Sequence, residues 1–371
     1  MLKGKQATLS DVSRLAGCSK AVASTVLNKA RGNTGVSEQM RRRVLDAAAR
    51  LDYRPNFASQ SLIRRRSRTV GVYISPAPWA GAGFPYEGAV LRGAEASCRE
   101  HGYDLHILNL SGDCETQVCL DNLARRRVDG ILLLHAERGD PWIRQMVQRR
   151  ANVVAVDYPH AEPGLDAIRF DNRMAMQLAV DHLVALGHSR IGFLGSCTNP
   201  QSADAAVREE AFLHFARARN LAVRPEWVHN VRNVRQPIRR EEPVCTLEGL
   251  YGIEHLLGLA DRPTAVIAYG DLVAVSALQA MHDRRMDLPR EMSILGVDDS
   301  EICHYVHPPL TSVRHPLEEM GRRATDLLIA RAEGKARDGV AGKAEKGIHE
   351  VFEPTLVVRE STAAPFAPSA G

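Results

Sequence analysis

Apolar positions near the N-terminus recur every three or four residues, which predicts three short helices. None of the three is long enough to bury its apolar side alone, so we expect them to pack against one another. The apolar positions that we expect to face inward are Leu9, Val12, Ala16, Ala23, Val26, Leu27, Met40, Val44, Ala47, Ala48 and Leu51.

The ends of the first two helices are marked by residues that stop or start helices. Thr8 and Asp11 have the spacing of a capping box, Gly17 suits the left-handed position that ends a helix, and Ser19 can cap the next one. Two helices joined by a tight glycine turn make a helix-turn-helix, whose second helix enters the DNA major groove. A helical bundle that binds no nucleic acid is the alternative that spacing alone leaves open.

The pattern changes after Thr69, where β-branched runs alternate with helical stretches. The runs are TVGVYI, DLHILNL, GILLL and NVVAVD, followed after residue 170 by RIGFLG, TAVIAYG and MSILGVDD. Between them we expect helices at about 86–102, 115–127, 142–150, 171–187, 203–220, 247–258 and 271–285. Such alternation is typical of βαβ units with parallel sheets, and two sets of strands predict two α/β lobes.

The net charge of +4 hides an uneven distribution along the 371 residues. Residues 1–68 carry 15 Lys and Arg against 4 Asp and Glu, a net charge of +11, whereas the remainder carries 33 against 40, a net charge of −7. A small basic segment on a mildly acidic body indicates a part that binds a polyanion. A solvated basic tail would also be basic, but this segment is patterned to fold.

The sequence offers no signature of an enzyme, a metal site or a membrane segment. GAGFPY lacks the third glycine of a dinucleotide fingerprint, and neither a phosphate-binding loop nor a nucleophile elbow is present. His182 and His188 are metal ligands by type, but no third ligand is suggested, so we expect no metal and no cofactor. With seven scattered cysteines, no long apolar run and no secretory signal, we expect a cytoplasmic protein without membrane contact.

Two segments of the basic part resemble the N-terminal signature of the lac/gal repressor family of bacterial transcription regulators. They are TLSDVSRLAGCSKAVASTVLN and GVSEQMRRRVLDAAARLDYRPN. The resemblance continues through almost the whole chain. It implies a helix-turn-helix DNA-binding domain at 1–55, a hinge helix with basic linker at 56–68, and a periplasmic-binding-protein-like core at 69–360. We expect residues 361–371 to form a disordered tail.

The family's chain crosses between its two lobes three times. We expect these crossings near 168, near 298 and within 325–350. The first lobe then comprises about 69–168 with 298–325, and the second about 169–297 with 340–360. These boundaries are what the resemblance implies.

The same resemblance, together with the outward side of the second helix, predicts the residues that contact DNA. They are Thr8, Ser19, Lys20, Ala21, Val22, Ser24, Thr25, Asn28, Asn56, Ser59 and Leu62. Leu62 occupies the place of a leucine that opens the minor groove in family members, although a flexible basic linker is the alternative for this segment. Thr25 replaces the family's usual Arg and cannot bind guanine in two places, so operator preference should differ from that of typical members.

Ligands of α/β sheets bind beyond the carboxyl ends of strands, and a cleft between two lobes meets this rule from both sides. Strand ends and the family pattern together predict the effector contacts Phe84, Tyr86, Asp157, Arg208, Asp271, Asp298 and His315. The alternatives are that Asp157 and Asp271 only cap the segments that follow, that Arg208 makes a surface ion pair, and that Phe84 belongs to a lid or the core. Gly270 stands where the family usually has a ligand-binding Asn.

These residues predict a homodimeric repressor that binds a near-palindromic DNA operator under the control of a small-molecule effector. Carboxylates, an arginine and aromatic rings suit a sugar or sugar derivative, and a purine-like effector fits nearly as well. The rival interpretations are a transporter's solute-binding protein, which the basic head argues against, and a sugar-processing enzyme, for which we find no catalytic constellation.

Overall fold

The computed structural model describes residues 7–28, 35–54, 66–75, 81–108, 115–136, 141–158, 163–195, 203–229, 244–335 and 347–366. The chain divides into two compact units, Met1–Arg68 and Thr69–Gly371, which we call the head and the core.

The head contains α1 (Leu9–Ala16), α2 (Lys20–Leu27) and α3 (Glu38–Arg50). Both sides of the predicted capping box are formed, since the amide of Asp11 donates to Thr8 Oγ1 at 3.3 Å and the amide of Thr8 donates to Asp11 Oδ2 at 3.0 Å. Gly17 has φ 64°, and Ser19 Oγ caps α2 by accepting from the amide of Val22 at 3.2 Å. Thr8 and Gly17 therefore set the two ends of α1, and Ser19 sets the start of α2, as predicted.

The three helices bury one shared apolar core, as predicted. Its fully buried members are Val12, Ala16, Ala23, Val26, Val44, Ala47 and Ala48, with Leu9, Leu27, Met40 and Leu51 packed around them. Leu15, which flanks the predicted stripe, is half exposed.

The first lobe of the core is built on a six-stranded sheet whose strand order is β11-β5-β4-β3-β1-β2, with every pair parallel. Its strands are β1 (Thr69–Ile74), β2 (Asp104–Ile107), β3 (Gly130–Leu134), β4 (Val153–Val156), β5 (Asp166–Phe170) and β11 (His349–Phe352). Its helices are α4 (Pro85–His101), α5 (Glu115–Ala124), α6 (Pro141–Gln148) and α11 (Leu317–Ala332). Strands β3 and β4 are buried on both faces, which explains their continuous apolar sequences.

The second lobe has a six-stranded sheet of order β12-β10-β9-β8-β6-β7, in which only the β10–β12 pair is antiparallel. Its strands are β6 (Ile191–Leu194), β7 (Val228–His229), β8 (Ala265–Ala268), β9 (Ser293–Asp298), β10 (Thr311–Arg314) and β12 (Thr355–Val357). Its helices are α7 (Asn172–Ala185), α8 (Ala203–Ala218), α9 (Val244–Leu257) and α10 (Asp271–Asp283). The predicted pair of α/β lobes is confirmed.

The chain crosses between the lobes at 170–172, 314–317 and 352–355. The first crossing agrees with the prediction near 168, but the predictions near 298 and within 325–350 are wrong. Residues 298–314 stay in the second lobe because β10 pairs with β9, and residues 349–352 belong to the first lobe because β11 pairs with β5.

The prediction that residues 361–371 form a disordered tail is wrong for residues 361–366. Ser361 is fully buried, and its hydroxyl donates to the carbonyl of Ile294 at 2.6 Å and accepts from the amide of Thr311 at 2.8 Å. His182 hydrogen-bonds Thr362 at 2.9 Å, and His188 hydrogen-bonds the carbonyl of Ala363 at 2.8 Å. Polar contacts on buried groups thus hold this segment, and residues 367–371 lie outside the described part.

Neither a bilayer-crossing helix nor a metal centre is found in the described ranges. No helix there combines the length and the apolarity needed to span a bilayer. Likewise, no group of three or more His, Cys, Asp and Glu side chains is arranged to hold a metal ion.

Candidate functional site

The outward side of α2 carries small and polar side chains. Ser19, Lys20 and Ala21 are exposed at its N-terminal end, whereas Ala23 and Val26 are buried on the opposite side. A helix with small exposed residues at its N-terminal end can approach base edges in a major groove closely. This half of α2 therefore has the form of a recognition surface.

Further along α2, two of the polar side chains already hydrogen-bond other groups of the same helix. The Thr25 hydroxyl donates to the carbonyl of Ala21 at 2.9 Å, and the Asn28 amide donates to Ser24 Oγ at 3.1 Å. Val22, Ser24, Thr25 and Asn28 are all partly exposed. The Thr25 hydroxyl keeps its lone pairs as acceptors, but it offers no second donor for a guanine.

Three of the predicted DNA contacts cannot be located. Asn56, Ser59 and Leu62 lie in the range 55–65, outside the described residues. Thr8 is described and forms the N-cap of α1.

In the core, side chains from the carboxyl ends of strands in both lobes meet in one cluster. Asp157 follows β4 of the first lobe, Asp298 ends β9 of the second, and His315 follows β10 at a crossing between the lobes. His315 Nε2 lies 3.1 Å from Asp157 Oδ2, and His315 Nδ1 lies 3.5 Å from Asp298 Oδ1. The His315 ring stacks on Phe170 with centroids 3.9 Å apart.

His315 carries a positive charge in this arrangement. Burial opposes its protonation, but the carboxylates of Asp157 and Asp298 outweigh burial and raise the pKa of His315 to about 9. Burial also opposes ionisation of Asp157, and the nearby His315 charge nevertheless holds the pKa of Asp157 below its ordinary value. The two lobes are therefore linked by a buried ion pair.

Arg208 of α8 is the second cation of the cluster and is 5% exposed, which excludes the alternative of a surface ion pair. Its Nε donates to Asn172 Oδ1 at 2.6 Å and its Nη1 donates to the carbonyl of Tyr269 at 2.6 Å. These two bonds aim its remaining Nη2 at Asp298 Oδ1, 3.9 Å away. The guanidinium is thus oriented by protein groups while one edge faces the Asp298 carboxylate.

Tyr86, near the start of α4, completes the contacts of Asp157. The Tyr86 hydroxyl donates to Asp157 Oδ2 at 2.8 Å, and the amide of Phe170 donates to Asp157 Oδ1 at 3.1 Å. Burial and the Asp157 charge raise the pKa of Tyr86 well above its ordinary value, so it stays a neutral donor. Asp157 has φ 54° and binds across to another strand end, so it does not act merely as a cap for the segment that follows it.

Two predicted contacts are not brought into this cluster. Asp271 is 1% exposed and gives both carboxylate oxygens to protein donors. Phe84 is half-buried, lies over Gly81 and precedes the first residue of α4. Both stay predictions as effector contacts.

A cavity of about 260 Å³ adjoins the cluster, close to the lower end of the usual size of ligand pockets, about 300 Å³. Residues lining it include Asp157, Tyr158, Phe170, Asn172, Asp204 and Val207. Buried charges and aromatic rings beside a cavity at the ends of β4 and β5 have the character of a small-molecule site.

Comparison with known proteins agrees with both parts of the chain. The sequence profile of the bacterial regulatory proteins of the lacI family matches residues 8–56, and that of the periplasmic binding protein-like domain matches residues 180–362. The ribose operon repressor of Haemophilus influenzae is 30% identical over 358 residues, covering 96% of this chain and 98% of the relative. The chain belongs to the lacI family of bacterial regulatory proteins.

Other similar proteins are also regulators of this family. The transcriptional repressor PurR of Aliivibrio salmonicida is 29% identical over 360 residues, covering 96% of this chain and 98% of the relative. The lac repressor dimer bound to operator and an anti-inducer has the same fold, with a TM-score of 0.78 at 23% identity over 97% of this chain and 100% of that one. This family member is thus a DNA-binding transcriptional regulator controlled by a small-molecule effector.

Several residues of the cluster in this family member were not predicted from sequence. Asn172 orients Arg208 and also donates to Asp204 Oδ1 at 3.0 Å. Glu87 Oε1 lies within hydrogen-bond distance of His135 Nε2, at 2.9 Å, and the His135 ring contacts Tyr86. Burial and the Asp157 charge raise the pKa of Asp204 to about 6. His135 and Phe170 lie at strand ends, and this position could have identified them as site residues from the sequence. Asn172 and Asp204 lie in the first turns of helices, so strand position could not identify them.

Proposed function

We propose that this regulator is a homodimeric repressor whose affinity for a near-palindromic operator changes when a sugar or sugar derivative binds between the lobes. Each subunit places α2 in the major groove of one half-site, and the predicted hinge residues Asn56, Ser59 and Leu62 contact the minor groove between them. The relative named ribose operon repressor supports both the repressor role and a sugar effector.

The observation that carries the choice of effector is the spacing of Arg208, His315 and Asp298. Asp298 is 24% exposed at its side chain, and its Oδ1 lies 3.9 Å from Arg208 Nη2 and 3.5 Å from His315 Nδ1. Both distances exceed a direct charge-assisted hydrogen bond, which is about 2.8 Å. A sugar hydroxyl can donate to such a carboxylate while it accepts from the guanidinium, and neighbouring hydroxyls repeat this pattern.

The aromatic side chains of the cluster support the same class of ligand. Phe170 and Tyr86 flank His315, with Tyr86 and His315 centroids 5.9 Å apart. Aromatic rings accommodate the C–H faces of a sugar while polar groups bind its hydroxyls. Tyr86 and Asp157 belong to the first lobe, and His315 lies at the crossing. These three side chains present hydrogen-bond donors and acceptors in fixed positions.

A thermal-shift screen of the purified protein tests the effector. The panel contains D-ribose, hexoses, disaccharides, sugar acids and nucleobases at equal concentrations, and a bound ligand raises the Tm by mass action. We expect a sugar or sugar acid to give the largest shift. A shift with a nucleobase alone would replace the sugar by a purine-like effector.

The site is tested by Arg208→Lys, with Arg217→Lys as matched control because Arg217 is exposed on the same helix. Lysine keeps the charge but cannot bind Asn172 and the Tyr269 carbonyl in the same planar geometry. We expect Arg208→Lys to abolish the sugar shift while operator affinity without sugar stays within about two-fold, a change below 0.5 kcal/mol. An unchanged sugar response in this variant would mean that the effector binds elsewhere.

A further inference from the structure

Asp271, the first residue of α10, is the centre of a buried network beneath the Asp298 end of β9. Its Oδ2 accepts from the amide of Ser300 at 2.7 Å and from the Ser300 hydroxyl at 2.8 Å. Its Oδ1 accepts from the Ser312 hydroxyl at 2.6 Å, and the thiol of Cys303 donates to Oδ2 at 3.2 Å. One carboxylate therefore joins α10, the segment after β9, and β10.

The backbone that this network holds is strained. Asp298 has φ 120° and Asp299 has φ 54°, in a region that residues with a Cβ rarely adopt. The amide of Asp299 donates to Ser312 Oγ at 3.0 Å, so Ser312 links the strained turn to Asp271. Such a conformation persists only where surrounding contacts fix it.

The turn sends two adjacent carboxylates in different directions. Asp298 faces Arg208 and His315 in the cluster, whereas Asp299 is paired with Arg314 at 2.8 Å and with Arg359 at 2.6 Å. Glycine at position 296 permits this arrangement, because a Cβ there would collide with Asp271 Oδ1.

We propose that Asp271 is a positioning residue of the effector site, which acts through Ser300 and Ser312 to hold the strained turn that directs Asp298 toward Arg208 and His315. The importance of this role for effector binding rests on the function proposed above, but the control of the turn by Asp271 does not. In this role Asp271 acts through its protein partners, because its carboxylate is buried and accepts from four protein donors.

Hydrogen exchange of the full-length protein, without any added ligand, measures the turn directly. We compare Asp271→Ala and Asp271→Asn with the matched control Asp166→Asn. Asp166 is an equally buried carboxylate that accepts the amide of Ile348 at 2.7 Å in the first lobe. For Asp271→Ala we expect exchange of the Asp299 and Ser300 amides to become at least about ten-fold faster. The Ser300 amide loses its acceptor, and the Asp299 amide loses the group that orients its acceptor, Ser312 Oγ.

The comparison between variants separates positioning from general stability. Asn keeps one amide oxygen as an acceptor, so Asp271→Asn should restore part of the protection, while Asp166→Asn should leave residues 298–303 unchanged. Equal acceleration across β8, β9 and β10 would show a merely structural role and overturn the proposal. So would unchanged exchange at Asp299 and Ser300.

A milder variant and a crystal structure cover the case in which Asp271→Ala does not fold. Ser312→Ala removes the hydroxyl that joins Asp299 to Asp271, and we expect the same local acceleration. In its crystal structure we expect Asp298 to leave φ 120° and its carboxylate to move away from His315. Because no sugar enters these measurements, a failed sugar screen would refute the proposed effector and leave this result intact, whereas an unmoved turn would refute only the role of Asp271.

Discussion

His315 derives its charge from two carboxylates that belong to different lobes, Asp157 and Asp298. Its pKa of about 9 in the folded protein exceeds the value of about 6.5 expected in an unfolded chain. A group whose pKa is raised by folding contributes stability that is complete below the unfolded value and is lost as the pH rises through the folded one. The contribution of His315 should therefore be full near pH 6 and disappear between about pH 6.5 and pH 9.

We expect His315→Gln to lower the Tm at pH 6 and to approach the parent protein as the pH approaches 10. Glutamine keeps polar atoms near Asp157 but removes the buried cation that Asp157 pairs with directly, so a loss of roughly 2–4 kcal/mol at pH 6 is expected. Thermal unfolding at a series of pH values measures the difference, with His282→Gln on the exposed side of α10 as control. A pH-independent difference would contradict a charged His315.

The site illustrates how far individual residues can be predicted from sequence. Asp157, Asp298 and His315 could be named because they follow apolar runs that read clearly as strands or match the family pattern, and the cluster contains all three. Asp271 has the same sequence context and yet is buried away from the cluster. What separates it from Asp298 is that it accepts from the hydroxyls of Ser300 and Ser312, which are distant from it in sequence.

Among the elements, α2 is the one that we propose to read bases. Its Thr25 hydroxyl donates to the Ala21 carbonyl and so has no free donor to distinguish guanine. An arginine at this position could bind the O6 and N7 acceptors of one guanine together, a contact that contributes about 1–3 kcal/mol of discrimination.

Thr25→Arg is therefore expected to change the preferred base within each half-site toward guanine. Selection from a random DNA pool, followed by sequencing, measures the preference of both proteins. Gln39→Arg, an added arginine at an exposed position of α3, controls for the added charge and should tighten binding without a new base preference. The same selected sequence for parent and Thr25→Arg would refute the assignment of α2 as the reading helix.

The strands that could not be predicted are short and lie near sheet edges or crossings. The central strands β1, β3 and β4 read as continuous apolar runs because both of their faces are buried. By contrast, β11 (HEVF) and β12 (TLV) are partly exposed and have only 4 and 3 residues, too few for a periodicity. Since these strands decide where the chain changes lobes, the lobe boundaries could not be derived from the sequence either.

The segment after β12 is an element whose stabilising role can be measured by truncation. It covers the polar edge of the second lobe, where the Ser293 hydroxyl accepts from the amide of Ala363 at 3.0 Å and the Ser361 hydroxyl bridges Ile294 and Thr311. Removal of residues 361–371 leaves several buried polar groups unpaired, each at a cost of about 1–3 kcal/mol. We expect the Tm to fall by roughly 5 °C or more.

A second truncation that removes only residues 367–371 is the matched control for this experiment, because it keeps every contact named above. It should unfold at nearly the same temperature as the full chain. If both truncated proteins lose equal stability, the contacts of Ser361, Thr362 and Ala363 do not hold the second lobe together.

At the scale of the whole molecule, the basic charge and the proposed effector site belong to different units. The head, residues 1–68, carries a net charge of +11, and the rest of the chain carries −7. The proposed effector site lies in the core, where its cations are buried and paired with carboxylates. Operator binding should therefore depend strongly on salt, because cations of the head release counterions from DNA, whereas effector binding should not. Any coupling between the two must be reciprocal in free energy.

The final prediction compares one lysine in each unit. Lys20 is exposed at the start of α2, and Lys335 is exposed after α11 in the core. For the parent protein we expect operator affinity to fall about 10²–10³-fold between 50 and 200 mM salt, as for a protein that contacts several phosphates. Lys20→Gln should weaken binding and reduce the slope of log affinity against log salt by about one for each lost phosphate contact, whereas Lys335→Gln should change neither.

Fluorescence anisotropy with labelled operator at a series of salt concentrations measures both slopes. Equal slopes for the two variants would mean that Lys20 does not contact the phosphate backbone, and a flat slope for the parent would contradict the assignment of the basic head as the DNA-binding unit.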